Sequence, residues 1–313
     1  MSDLENSALR EVLLESVKEQ RRRRRWGIFF KLIWIALIIF GVYNIYFATD
    51  EGNKLSKLSH TALIDVNGPI MDGADADADR VVSSLRHAFE DKGTKGIIVR
   101  INSPGGSPVQ SDYIYNEIKR LRGLHSSIKV YAVCVDICAS GAYYIAAAAD
   151  EIYADPSSLV GSIGVIMNGF GYVDTMKKLG VSRRLFTAGE HKGFLDPFSP
   201  LKPSEEADVK KLLGIIHQQF IASVKAGRGT RLKENPEIFS GMAWSGVQAK
   251  ELGLVDAFGS AGFVAREVIK EDKIINYTLR PNYFERIASR IGASAGEQLS
   301  KDLGVSNNFS VKE

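Results

Sequence analysis

Between residues 62 and 271 short apolar runs alternate with longer runs of helical composition, and this order restricts the possible folds strongly. Strands are predicted at 62–66, 96–101 and 128–135, and helices at 80–91, 108–122 and in the alanine-rich stretch after residue 140. Parallel strands need a crossover connection, usually a helix, so the order predicts βαβ units and a mostly parallel sheet. Further strands are expected near 151–154, 160–167 and 183–187, and further helices near 170–179, 203–226, 245–252 and 260–271. The chain of 313 residues is therefore expected to form one large α/β domain with appendages.

An apolar run at residues 26–48 follows five consecutive arginines, Arg21 to Arg25. A membrane-spanning helix needs about 20 residues, and an excess of arginine keeps its flank in the cytoplasm. We expect an uncleaved anchor, because the run exceeds the ~7–15 apolar residues of a signal peptide. A cleaved signal peptide is the alternative, but Tyr46 stands where cleavage before Ala48 would need a small residue. The anchor predicts the bilayer as a partner, a cytoplasmic N-terminus and residues from about 50 onward outside the cytoplasm.

These patterns divide the chain into five parts. The predicted boundaries are 1–25 for a cytoplasmic tail, 26–48 for the transmembrane anchor, 49–60 for a linker, 61–291 for the main domain and 292–313 for a flexible tail. The formal net charge of +3 arises within residues 1–31, which hold eight Lys and Arg against five Asp and Glu. The rest of the chain carries both signs equally, so a nucleic-acid partner is not expected.

Ser140 lies where the strand-like run ends and the alanine-rich helical run begins. At such a turn a serine presents its hydroxyl at the start of a helix, where free N–H groups collect, as a nucleophile needs. A second loop, at residues 102–108, follows the strand at 96–101 and contains Gly105 and Gly106. Either glycine could supply an oxyanion donor beside the backbone amide of Ser140, with Gly141 supporting the turn after the nucleophile.

A nucleophilic serine needs a base, and the sequence offers histidines and one suggestive lysine. None of the five histidines has an evident carboxylate partner in the sequence, so surface or core positions are expected for most of them. Lys192 lies among glycines and aromatic residues, where burial would lower its pKa until the neutral amine could accept a proton. A solvated surface lysine is the ordinary interpretation of such a residue taken alone.

Four segments in this order together resemble the signal peptide peptidase A family, membrane-anchored serine proteases of bacteria and plastids. They are Ala139–Ala146, Ser103–Gly106, Ser158–Val165 and the loop around Lys192, and the resemblance runs from about residue 60 to 270. It implies the fold shared by the Clp protease and crotonase superfamily, following one N-terminal transmembrane helix. It also implies a Ser/Lys dyad of Ser140 and Lys192. Ser162 would orient the lysine, and Gly105 would join the Ser140 amide in the oxyanion hole.

The resemblance implies a serine endopeptidase that degrades cleaved signal peptides and other short apolar or unfolded peptides through an acyl-enzyme. The expected location is the bacterial inner membrane with the catalytic domain in the periplasm, and no cofactor or metal is expected. A homo-oligomeric ring, tetramer or octamer, is implied, and the dyad could form within one chain or between two chains. The alternatives are a crotonase-like acyl-CoA enzyme, disfavoured because CoA is cytoplasmic, and a non-catalytic anchored scaffold.

The two cysteines, Cys134 and Cys138, lie on the predicted strand and on the turn before Ser140. A disulfide between them is conceivable in an oxidising periplasm, but the separation of strand and turn is unfavourable for its geometry. Two buried free thiols are the favoured interpretation.

Overall fold

The computed structural model describes residues 21–41 and 58–280, and the chain divides into two compact units, Met1–Leu58 and Ser59–Glu313. In the first unit residues 21–41 are helical (α1). Among the described helices, none is both long enough and apolar enough to cross a membrane. Several predicted parts lie outside the described residues: 1–20 of the tail, 42–48 of the anchor, 49–57 of the linker, 281–291 of the main domain and the tail at 292–313.

The second unit contains the predicted alternation of strands and helices. Its strands are β1 (His60–Asn67), β2 (Thr94–Ser103), β3 (Lys129–Ala139), β4 (Glu151–Ala154), β5 (Leu159–Gly161), β6 (Ala243–Ser245), β7 (Ala257–Phe258) and β8 (Ile274–Asn276). Its helices are α2 (Ala78–Glu90), α3 (Pro108–Leu124), α4 (Gly141–Ala146), α5 (Val173–Lys178), α6 (Pro203–Arg228), α7 (Gly246–Glu251) and α8 (Ala261–Phe263), which continues as a π-helix over Val264–Ile269. Short 3₁₀ turns occupy Gly229–Arg231 and Pro236–Phe239.

The strands form one sheet in which β8, β1, β2 and β3 lie side by side and parallel. The far edge of β3 is shared, because β4 pairs with Tyr131–Cys134 and β5 with Ile137–Ala139. Beyond them β7 lies parallel to β4, while β6 lies antiparallel to β5. The prediction of an α/β fold with a mostly parallel sheet is confirmed.

An irregularity in β3 allows two different strands, β4 and β5, to pair with the same edge of β3. The register between β2 and β3 shifts beyond Ile101. Asn102 stabilises the shift, because its Oδ1 accepts the Ile137 N–H at 3.2 Å and its Nδ2 donates to Asp136 at 2.8 Å. The shift adds twist and re-aims the end of β3, as bulges do next to active sites. The last residues of β3 therefore run alongside β5.

Both faces of the sheet are covered by helices, as a parallel sheet requires. Ala62, Ile64 and Val66 of β1 belong to a large buried cluster that includes side chains of α2, α3, α4 and α6. Leu63 points the other way, into a smaller cluster with Val264. This alternation follows from the two-residue repeat of a strand.

Two predictions about the edges of the domain need correction. The predicted strand at 183–187 is absent, and Phe186 is 91% exposed, so no neighbouring strand supports it. The predicted strand at 160–167 is limited to Leu159–Gly161. The three short strands β6, β7 and β8 were not predicted. Cys134 and Cys138 are both buried free thiols, which confirms the favoured interpretation over a disulfide.

Candidate active site

Ser140 lies on a sharp turn between β3 and α4. Its backbone adopts φ 55° and ψ −125°, a region that non-glycine residues rarely occupy. Two hydrogen bonds hold this conformation: the Ser140 N–H donates to the Gly161 carbonyl at 2.7 Å, and the Ser140 carbonyl accepts the Tyr144 N–H at 3.0 Å. The half-buried Ser140 hydroxyl has no hydrogen-bond partner within the described residues. Such strain is characteristic of functional turns, and here it leaves the Oγ available for reaction.

The glycine loop packs directly against this turn. Gly105 adopts φ +96°, and a Cβ added there would lie 2.8 Å from the Ser140 Cβ and 2.7 Å from the Gly141 nitrogen. The loop is fixed from its other side by Ile70, whose N–H donates to the Gly105 carbonyl at 2.9 Å and whose carbonyl accepts the Ser107 N–H at 2.7 Å. Only a residue without a side chain allows the loop to approach the nucleophile so closely.

Both predicted oxyanion donors form hydrogen bonds within the fold. The amide of Gly105 donates to Ser103 Oγ at 3.1 Å, and that of Ser140 donates to the Gly161 carbonyl. An N–H that already donates to a buried acceptor is not available to a developing oxyanion. In this structure both amides of the predicted pair, those of Gly105 and Ser140, therefore already donate hydrogen bonds within the fold.

Two neighbouring amides take their place. The N–H groups of Gly106 and Gly141 have no acceptor within the described part of the chain. They lie close together, since a Cβ added to Gly141 would be 3.3 Å from the Gly106 nitrogen. The residue following a nucleophile on a strand-to-helix turn commonly supplies one donor, and a neighbouring loop supplies the other. Gly106 and Gly141 are thus the amides available beside Ser140.

Ser162 lies beside Ser140 at the end of the neighbouring strand. The last paired residues of β3 and β5 are Ala139 and Gly161, so each serine follows a paired residue. Adjacent strands are about 4.8 Å apart, which sets the spacing of the two serine backbones. Ser162 also has a positive φ, 50°, and its hydroxyl has no partner among the described residues. The fold therefore brings together these two serines, 22 positions apart in the sequence.

Lys192 is not at this site in the single chain. It lies on an exposed turn in which its N–H donates to the Gly189 carbonyl at 3.2 Å. Its amine forms no ion pair or hydrogen bond with any residue that the structure describes. It is also not among the residues lining the cavity at Ser140.

A cavity of about 690 Å³ opens beside Ser140. It lies between the glycine loop, the starts of α3 and α4, the segment after β5 and the second half of α6. Its walls are mainly apolar and contain one carboxylate. Among the side chains that line it are Val109, Asp112, Tyr144, Ile216, Phe220 and Ser223. Asp112 is a cavity residue that the sequence does not reveal, because an acidic residue on an amphipathic helix carries no signal of facing a cavity.

Other candidate nucleophiles and bases have different roles in the structure. His217 Nε2 lies 3.0 Å from the Ile163 carbonyl, which can only accept, so this nitrogen carries the proton. Burial raises the pKa of the Cys138 thiol well above its usual value, so it remains a protonated thiol. Within the described residues, no histidine forms a hydrogen bond with Ser140.

Comparison with known families and proteins agrees with this geometry. The model of peptidase family S49 matches residues 122–274, which include Ser140, Ser162 and Lys192. The model of the Clp protease family matches residues 49–159, which include the glycine loop and Ser140. The two matches overlap on residues 122–159, which include the turn at Ser140.

Individual relatives differ in how much of their length the chain covers. The Na⁺/H⁺ antiporter NhaA of Brucella melitensis is 49% identical over 175 residues, 56% of this chain, and the chain spans only 24% of that protein. A candidate protease of Synechocystis sp. is 36% identical over 207 residues, 66% of this chain and 72% of the relative. A candidate signal peptide peptidase SppA of Enterococcus faecium is 30% identical over 260 residues, 76% of this chain and 73% of the relative.

Proposed function

Because this chain belongs to peptidase family S49, in which its relatives include SppA-type proteases, we propose that it is a serine endopeptidase with Ser140 as the nucleophile. The observation that carries the proposal is the strained turn at Ser140, with an unpartnered hydroxyl and two available amides beside it. Attack of Oγ on a peptide carbonyl would form a tetrahedral intermediate, whose oxyanion the Gly106 and Gly141 N–H groups would stabilise. Collapse of that intermediate expels the amine and leaves an acyl-enzyme, which water then hydrolyses.

We propose Lys192 as the general base, with Ser162 orienting its amine. The amine would take the proton from Ser140 Oγ and give it to the leaving nitrogen. Ser162 supports this role because its unpartnered hydroxyl lies one strand away from the nucleophile. A neutral lysine amine placed between the two serines could accept a hydrogen bond from the Ser140 hydroxyl and donate one to the Ser162 oxygen.

We propose that Lys192 reaches Ser140 of a neighbouring copy in a homo-oligomer. Supporting this arrangement, Lys192 lies on an exposed turn, and the chain around it carries large apolar side chains open to solvent. Leu179, Leu185 and Phe186 are examples, and large exposed apolar surface often marks an interaction site. Burial in a subunit interface would also exclude water from the lysine amine.

We further propose that residues 26–48 anchor the enzyme in the bacterial inner membrane with its catalytic domain in the periplasm. The arginine run and the length of the apolar stretch support this topology. Substrates would be cleaved signal peptides and other short or unfolded segments that emerge near the membrane surface. The mainly apolar walls of the cavity beside Ser140 fit such peptides.

Hydrolysis of a fluorogenic peptide by the full chain in detergent tests the catalytic assignment. Ser140→Ala and Lys192→Ala should each lower kcat by about 10⁴-fold or more, as removal of a nucleophile or its base does. His191→Ala removes the neighbouring titratable side chain and should retain most of the activity. Loss of activity in His191→Ala with retention in Lys192→Ala would overturn the choice of base.

Mixing two inactive variants tests whether the site is shared. If Ser140 and Lys192 come from different copies, subunit exchange between Ser140→Ala and Lys192→Ala should restore about a quarter of the wild-type activity, because each site draws two subunits at random. A site formed within one chain predicts no recovery after exchange.

A further inference from the structure

Asp112 places a negative charge in the wall of the cavity beside Ser140. It lies on α3, one turn after Val109, and both side chains line the cavity. Among the described residues lining the cavity, Asp112 is the only one with a formal charge. No described lysine or arginine forms an ion pair with it, and it is half-buried. A partly desolvated carboxylate without a cation is costly unless a partner arrives.

The Asp112 carboxyl group is held in place by two hydrogen bonds, one to each oxygen. Tyr144 donates its hydroxyl proton to Oδ1 at 2.9 Å, and Asn116 Nδ2 donates to Oδ2 at 2.8 Å. The Tyr144 oxygen in turn accepts the Ser223 hydroxyl at 2.8 Å. Burial, together with the hydrogen bond to Asp112, raises the pKa of Tyr144 to about 12, so it remains a donor at neutral pH. Both carboxylate oxygens keep lone pairs for a further donor.

Tyr144 connects this carboxylate to the nucleophile. It is four residues after Ser140, and its N–H closes the first turn of α4 on the Ser140 carbonyl. Its ring is 93% buried and stacks on Phe220 with centroids 4.9 Å apart, which prevents it from swinging. The distance from Ser140 to Asp112 is therefore fixed by one helical turn and one tyrosine ring.

The remaining walls fit a long aliphatic stem. Val109, Ile216 and Phe220 line the cavity together with Asp112. In a bound substrate peptide, the scissile carbonyl would lie over Ser140 with its oxygen toward Gly106 and Gly141. The substrate side chain nearest the cavity would then belong to the residue that carries this carbonyl. A side chain that enters would thus meet apolar surface along its stem and a carboxylate within reach of its end.

We propose that this cavity selects a substrate with lysine or another long cationic side chain at the residue whose carbonyl is attacked, and that Asp112 is the specificity-determining residue. The proposal rests on the proposed peptidase function and adds to it a preference at the residue whose carbonyl is attacked. One charge-assisted hydrogen bond should favour the cationic side chain by about 10- to 100-fold over a neutral one of the same length.

The test uses three peptides whose C-terminal residue is joined to coumarin through an amide bond. They differ only in that residue, which is lysine, norleucine or glutamate. Norleucine keeps the stem and lacks the ammonium group. For the full chain in detergent, kcat/KM should follow the order lysine, norleucine, glutamate. Asp112→Asn preserves an acceptor for Tyr144 and removes the charge, so the lysine-to-norleucine ratio should fall to near one. Asp208→Asn, on the exposed face of α6 and outside the cavity, removes the same charge and should keep the wild-type ratio.

A binding measurement tests the role of Asp112 independently of the proposed peptidase function. Fluorescently labelled versions of the same peptides are titrated into the Ser140→Ala variant, with and without Asp112→Asn, and anisotropy reports the affinity ratio. If the wild type hydrolyses no peptide, the proposed function fails, while the binding ratio still decides the role of Asp112. A lysine-to-norleucine ratio of one or less, or a ratio that Asp112→Asn leaves unchanged, overturns the proposal.

Discussion

At the scale of single residues, Ser140 and Ser162 share an unusual geometry. Both have a positive φ, and each follows the last paired residue of its strand. The Ser140 N–H donates to the residue before Ser162, so the two turns are tied together by one hydrogen bond of 2.7 Å. A strained residue persists only where its surroundings over-determine it, and the cost is of order 1–3 kcal/mol each. Two such residues side by side indicate that the position of both hydroxyl groups matters.

The glycine loop gives the first prediction at this scale. In Gly105→Ala the new Cβ would meet the backbone of the nucleophile turn at 2.7–2.8 Å, and it would also be strained at φ +96°. The loop must then move away from Ser140, which displaces the Gly106 amide from the oxyanion. We expect kcat to fall by about 100-fold, the cost of one oxyanion donor, with a smaller change in KM.

Gly123→Ala is the matched control for that variant. Gly123 lies inside α3, and a Cβ there would meet nothing within 4 Å. It should leave kcat unchanged and stabilise the protein by about 0.5–1 kcal/mol, since alanine is the better helix former. Equal activities of the two variants in a peptide hydrolysis assay would contradict the close packing of the glycine loop on Ser140.

At the scale of elements, a buried ion pair joins the end of α6 to the strands β4 and β7. Arg228 is 1% exposed and donates to both carboxylate oxygens of Asp256, each at 2.8 Å, and to the Gly253 carbonyl. Asp256 also accepts the Ile152 N–H of β4 at 2.7 Å. Because α6 forms a wall of the cavity beside Ser140, this pair also fixes that wall.

Asp256→Ala should lower the free energy of unfolding by about 3–5 kcal/mol, because it leaves the Arg228 charge buried without a partner. Glu206→Ala is the control, since it removes an exposed pair with Lys210 that should contribute little to stability. Urea denaturation followed by circular dichroism measures both. A loss of under 1 kcal/mol in Asp256→Ala would show that Arg228 finds another acceptor or reaches water.

The elements also show how far the sequence predicts the fold. The runs at 96–101 and 108–122 match β2 and α3 closely, because their periodicity and the proline at the start of α3 are local signals. The strands β6, β7 and β8 have two or three residues each, too few for any periodic pattern. They form only because β5, β4 and β1 offer free edges, which depends on residues far away in the sequence.

The same distinction applies to the site. Ser140 was predicted because a strand-to-helix junction and a following glycine are visible in the sequence. The availability of the donor amides does not follow from the sequence, because it depends on which N–H groups the fold satisfies: the Ser140 N–H donates to the Gly161 carbonyl and the Gly105 N–H to the Ser103 hydroxyl. Asp112 faces the cavity because of how α3 packs against α4, which the sequence of α3 alone does not reveal.

At the scale of the whole molecule, stability should depend on pH through paired carboxylates. Hydrogen bonds from Arg120, and then from Arg86, lower the pKa of Glu117 from 4.5 to about 2 despite its burial. In Asp256 burial is the largest single influence and raises the pKa, but Arg228, the Ile152 N–H and Arg231 together outweigh it and lower the pKa. A carboxyl whose pKa is lower in the folded state contributes stability above its unfolded pKa and loses it as the pH falls through the folded pKa.

We therefore expect the urea midpoint of the full chain to be constant near neutral pH and to fall progressively from about pH 5 toward pH 2. Glu117→Gln removes one of the responsible groups, so its midpoint should be lower at neutral pH and should change less steeply with acid. A Glu117→Gln curve parallel to that of the wild type between these limits would contradict the pairing of Glu117 with Arg120 and Arg86.

The central claim for the whole molecule is that Ser140 is an activated nucleophile, and covalent labelling tests it most directly. A fluorophosphonate probe, which reacts with activated serine hydroxyls, is added to the full chain in detergent and the modified residue is located by tandem mass spectrometry. Fragment ions distinguish Ser140 from Cys138 in the same peptide. We predict one adduct on Ser140 that is lost in Ser140→Ala and persists in His191→Ala. An adduct on another residue, or peptide hydrolysis without any adduct on Ser140, would contradict this account.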